Sequence, residues 1–134
     1  SWDIAFNRMN IRTNGGKSGK GKGGAFDTKV KDFKAVITAP ENGYEEDKEG
    51  EITSKFTGEG IETIKSTLNH VLASAILFSG PPPTYLASEK VFIVKTADGK
   101  FAKFQVLGYH NKQSQAGYVT FRYFLQKDGS RNLK

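Results

Sequence analysis

Residues 90–126 leave this chain its fewest options, because they hold three runs rich in Phe, Val and Tyr separated by turn signals. The first run, 90–96 (KVFIVKT), meets the second, 101–109 (FAKFQVLGY), across Ala97-Asp98-Gly99-Lys100. Asp-Gly favours a tight hairpin, since Gly accepts positive φ at no steric cost. The third run, 117–126 (GYVTFRYFLQ), follows a polar loop. Such density of β-branched and aromatic residues reads as strands. Consecutive strands usually lie side by side, so an antiparallel meander is expected. Its core candidates are Phe92, Val94, Phe104, Val106, Val119, Phe121 and Tyr123.

The rest of the chain extends this β pattern with one exception. Trp2, Ile4 and Phe6 alternate with Asp3, Ala5 and Asn7, the period of a half-buried strand. The turn Asn14-Gly15-Gly16 ends it and opens a loop of Gly and Lys over 15–24, which has no apolar residue. Residues 34–39 (KAVITA) read as a strand that stops before Pro40, and 51–56 (EITSKF) as another. From Ile61 the period changes. Ile61, Ile64, Leu68, Val71, Leu72, Ala75 and Ile76 recur at helical spacing, which predicts a short helix within residues 61–77. Gly80 and Pro81-Pro82-Pro83 end it, because Pro lacks an N–H and blocks the preceding turn. The expectation is a mainly β, antiparallel fold with one short helix, in a single domain over 1–134.

Several chemistries are disfavoured by residue types alone. There is no Cys, which removes disulfides and thiolate nucleophiles. Gly19-x-Gly21-x-x-Gly24 matches a dinucleotide fingerprint only in form, because no helix signal follows to receive a pyrophosphate. In Gly16-x4-Gly21-Lys22 the next residue is Gly23, so the hydroxyl of a phosphate-binding P-loop is missing. The only histidines, His70 and His110, have no Ser/Asp pattern of a triad beside them, and no enzyme is expected. The net charge is +6, but residues 41–62 hold eight acids against two Lys. Basic stretches broken by an acidic block do not make the continuous face that nucleic acid requires, so no nucleic acid partner is expected.

Several specific segments stand in order along the chain: Trp2-Asp3-Ile4-Ala5-Phe6, Arg12-Thr13-Asn14-Gly15-Gly16 and the Ser18-Gly19-Lys20-Gly21-Lys22-Gly23-Gly24-Ala25 loop. Pro82-Pro83-Thr84-Tyr85, the Val91-Phe92-Ile93-Val94-Lys95-Thr96-Ala97-Asp98-Gly99-Lys100 hairpin and Gly117-Tyr118-Val119-Thr120-Phe121-Arg122-Tyr123 follow. Together and in this order they resemble the HmuY family. The resemblance implies a β-rich haemophore-like lipoprotein, anchored to the outer membrane by a lipid ahead of Ser1 or secreted. Such a protein takes haem from host haem carriers and passes it to a TonB-dependent outer-membrane receptor.

The resemblance also implies a site. The family grips haem between two protruding elements, each giving an axial His or Met. They match residues 58–63 and 79–81 here. In many relatives a Met stands where this chain has Pro81. Neither window contains His, Met, Tyr or Cys, the usual haem ligands. Ligands from elsewhere are then His70 first, as the metal ligand, with Met9, Tyr85 and His110 as further candidates. Pro81 is a contact candidate by position. Three alternatives stand beside these: a surface His70, Met9 as a packing residue and Tyr85 as an anchor for the Pro-rich loop. Two alternative functions remain: a relative retuned to another ligand such as metal-free porphyrin, and a protein-interaction module using the Lys17–Lys22 loop.

Overall fold

The computed structural model describes residues 2–80, 82 and 84–134; the side chains of 53–57 lie outside that description. Among the described residues ten strands form: β1 (Ile4–Asn7), β2 (Asn10–Thr13), β3 (Gly24–Asp27), β4 (Lys48–Thr57), β5 (Gly60–Leu68), β6 (Ile76–Ser79), β7 (Thr84–Ala87), β8 (Val91–Lys95), β9 (Phe101–His110) and β10 (Ala116–Gln126). The strands β10, β9, β8 and β3 pair antiparallel in that order as one sheet. The expected meander is there, with Asp98-Gly99 at its first turn and Gly99 at φ 87°. Three separate antiparallel hairpins, β1–β2, β4–β5 and β6–β7, complete the strands.

The central sheet carries apolar residues on both faces, which explains why β8 reads as an unbroken apolar run rather than an alternation. Phe92 and Val94 project into one cluster with Phe104, Val106, Ile11 and Leu72. Val91 and Ile93 project into the other with Phe33, Val36 and Leu133. On that second face Lys103 is buried, and its ammonium donates to the Phe33 and Val36 carbonyls at 2.8 and 3.1 Å. The Phe33 ring lies 4.4 Å from the same nitrogen. Burial and the nearby Arg122 lower the Lys103 pKa, so the carbonyl cage is what makes the buried charge tolerable.

Asp47 ties the hairpins to the body. Its buried carboxylate accepts from the Thr13 amide and hydroxyl and, at 3.0 Å, from the Asn69 amide. The Asn69 carbonyl oxygen in turn accepts from the amides of Val71 and Leu72, capping the 3-10 turn Leu72–Ser74. The glycine loop packs just as tightly. A Cβ on Gly21 would sit 2.7 Å from the Ala97 Cβ and 2.6 Å from Asn14 O if placed instead on Gly23, so side chains have no room. These glycines are used for close backbone approach rather than for a phosphate cradle.

Three sequence expectations are corrected. No helix forms within 61–77: that stretch is strand β5, the 3-10 turn Leu72–Ser74 and the start of β6. Residues 34–39 give a 3-10 turn (Phe33–Ala35) and a single bridge, Thr38 to Asn132, in place of a strand. The opening strand folds back as a hairpin around Arg8 and Met9. Among the core candidates, Phe121 and Tyr123 remain 38% and 65% exposed.

Candidate functional site

Two hairpins stand out from the body. In β4–β5 the strands bond to each other over most of their length, and residues 58–65 are exposed. Ile61 and Ile64 are 48% and 52% exposed there. The ribbon is moored at its base. The Arg12 guanidinium donates to Thr67 O at 2.7 Å and to the Ser66 hydroxyl, and the Ser18 hydroxyl donates to Thr67 Oγ1 at 2.8 Å. In β6–β7, Leu77 faces Leu86 across the pair and both are largely exposed. The opposite face pairs Phe78 with Tyr85, ring centroids 5.4 Å apart, and Tyr85 lies 4.8 Å from Tyr109. Leu77 and Leu86 make one exposed apolar face on β6–β7, while Ile61 and Ile64 are exposed on opposite faces of the ribbon.

The β1–β2 hairpin lies beside the β4–β5 ribbon. A groove of about 120 Å³ separates Ala5, Phe6 and Asn10 from Ile52 and Thr67 of the β4–β5 ribbon. A larger groove of about 300 Å³ runs along β7 and the outer half of β9, lined by Leu77, Leu86, Leu107, Tyr85, Tyr109 and His110. It brings Tyr85 and His110 to one surface.

The other candidates are placed as follows. Met9 and Tyr85 both pack against the cluster of Phe92 and Phe104, and so does Val71, the neighbour of His70. His70 itself is exposed at the base of the β4–β5 ribbon, with Nε2 3.2 Å from Glu49 O. A carbonyl only accepts, so the contact needs a proton on Nε2, and in the neutral tautomer that makes it Nδ1 is the nitrogen open to a metal. Burial raises the Tyr85 pKa, with Arg8 pulling it partly back; the Tyr109 pKa is raised by burial and by Tyr85. Both phenols therefore stay protonated at neutral pH, which disfavours the phenolate that iron ligation uses. Among the described residues no group of three His, Cys, Asp or Glu is placed to hold a metal ion. Pro81 lies outside the described residues.

Sequence reasoning missed the exposed Leu77–Leu86 pair. Apolar residues flanking Gly80 and the prolines on both sides were the available hairpin signal for it.

The family model described as HmuY protein matches residues 1–123. The chain belongs to the HmuY family. A putative HmuY-like heme binding protein from Bacteroides vulgatus shares 30% identity at a TM-score of 0.74, covering 92% of this chain and 69% of its own. The apo HmuY analogue from Tannerella forsythia shares 29% identity at a TM-score of 0.76, covering 94% and 66%. A putative lipoprotein from Bacteroides fragilis, at 24% identity, TM-score 0.70 and coverages of 92% and 67%, shares the fold. The chain thus spans about two thirds of the length of these HmuY-like chains. No curated protein sequence matches it. The HmuY fold is a binding scaffold, and no helix among the described residues is long and apolar enough to cross a membrane.

Proposed function

We propose that this chain binds haem or a related tetrapyrrole at the cell surface and passes it to a TonB-dependent outer-membrane receptor. One observation carries the reading: in a HmuY family member, two projecting hairpins expose Ile61 and Ile64 on one and Leu77 and Leu86 on the other. Covering such side chains stabilises a complex by about 25 cal/mol per Å² of apolar surface. A macrocycle offers that area on both faces. Its grip here is mainly apolar, because the windows that match the family's ligand positions hold Gly, Glu, Ile, Thr, Ser and Pro. His70, through Nδ1, is the axial ligand preferred for the iron. Met9 is the next candidate, and Tyr85 and Pro81 act as packing contacts to the ring.

The donorless windows favour a second reading, capture of a metal-free porphyrin. Titration separates the two. Haemin that gives a sharpened, shifted Soret band, lost in His70→Ala, supports ligated haem. Equal affinity for haemin and iron-free protoporphyrin, untouched by His70→Ala, supports the apolar grip alone. Binding of neither overturns both.

A further inference from the structure

A flat macrocycle needs a continuous apolar seat, and the two projecting hairpins differ in offering one. Ile61 and Ile64 are split between opposite faces of the β4–β5 ribbon. Leu77 and Leu86 face each other across β6–β7, and with Leu107 of β9 they line the groove of about 300 Å³. All three leucines are exposed, so the groove holds apolar surface that the fold itself does not cover.

His110 lines the same groove, and its neighbours fix its ring. The Tyr109 and His110 ring centroids are 6.0 Å apart, with the rings nearly perpendicular at 86°. Tyr109 is itself buried and lies 4.8 Å from the Tyr85 ring. Beyond His110 the chain turns through a closed loop. Asn111 N donates to Gln115 O, and the Asn111 side-chain oxygen accepts from the amides of Gln113 and Gln115. The imidazole is exposed, and among the described residues neither of its nitrogens is hydrogen-bonded. His70 differs, because its Nε2 is engaged with Glu49 O.

The number of donors decides what such an imidazole can hold. A bare metal ion takes three or four protein donors. Among the described residues no group of three His, Cys, Asp or Glu is placed to supply them. An iron already held by the four nitrogens of a macrocycle needs only an axial ligand, and a single His suffices. We infer that His110 ligates the iron of a tetrapyrrole seated on Leu77, Leu86 and Leu107 in the groove along β7 and β9. This rests on the proposed function and adds to it a seat and an iron ligand apart from His70. The imidazole gives a lone pair to the axial position of the iron and displaces water from it; nothing is oxidised or reduced.

The test titrates haemin and iron-free protoporphyrin into the wild-type protein, His110→Ala and Leu86→Glu. His110 is exposed, so the melting temperature of His110→Ala is expected to match wild type, and unfolding cannot explain lost binding. Haemin affinity is expected to fall about tenfold in His110→Ala with an altered Soret band, while protoporphyrin affinity stays unchanged. Leu86→Glu is expected to weaken both ligands alike. A wild-type spectrum and affinity in His110→Ala, or equal losses for haemin and protoporphyrin, overturn ligation by His110 and leave His70 and the apolar grip standing. Full binding of both ligands by Leu86→Glu overturns the seat. A wild-type protein that binds neither ligand overturns the proposed function and this assignment with it.

Discussion

The central sheet and the β4–β5 ribbon are both antiparallel β-structure, yet they treat their isoleucines in opposite ways. Ile93 on β8 is 1% exposed, whereas Ile64 on β5 is 52% exposed. The sheet is covered on both faces and spends its apolar side chains on its own cohesion. In the ribbon residues 58–65 are exposed, and Ile61 and Ile64 are held out. The difference teaches where folding ends and binding begins: residues of one chemistry serve stability in the first region and are available to a ligand in the second.

The sharpest challenge to this contrast is Phe92→Ala. Phe92 is fully buried, so the truncation is expected to cost about 4 kcal/mol in chemical denaturation. Gly21→Ala ranks next. Its methyl would meet Ala97 Cβ at 2.7 Å, and backbone displacement is expected to cost about 2 kcal/mol by the same measurement.

Tyr44 gives a smaller effect that depends on pH. Its hydroxyl donates to Pro40 O, and burial pushes its pKa up to about 12 from 10, with Arg131 pulling slightly the other way. The folded state therefore keeps this proton when the unfolded chain has lost it. The contribution is fully present below pH 10 and disappears as pH rises through about 12. Tyr44→Phe should flatten part of the alkaline fall seen in melts between those values, and an unchanged fall would assign it to other groups. The smallest stability effect belongs to Ile64→Ala, expected within about 0.5 kcal/mol of wild type. Haemin affinity should nevertheless drop several-fold, measured by the same titration. A destabilised Ile64→Ala protein would mean that the ribbon supports the body after all.

Legibility in the sequence follows the same divide. The meander of β8, β9 and β10 could be read because a core imposes dense Val and Phe runs and a defined Asp-Gly turn. The β5 strand was misread as helix for a physical reason. Ile61 and Ile64 lie on opposite faces of a strand, and a ribbon exposed on both faces imposes no period-two pattern. Their spacing of three then joins, by coincidence, with Leu68, Leu72 and Ile76, which are buried where the chain enters the core. The 34–39 stretch was misread because its partner, around Arg131 to Leu133, lies far away in sequence: Ala39 N bonds Arg131 O and Leu133 N bonds Ile37 O. The protruding site was visible only through resemblance.

A ribbon whose backbone bonds close within itself has a further consequence over evolutionary time. Replacements near its end disturb no packing in the body, so selection for foldability does not police them. The tip can drift, losing a metal-binding side chain or gaining one, while the scaffold stays intact. Relatives with one architecture can thus diverge in cargo through a handful of tip substitutions, each nearly silent in a melting experiment.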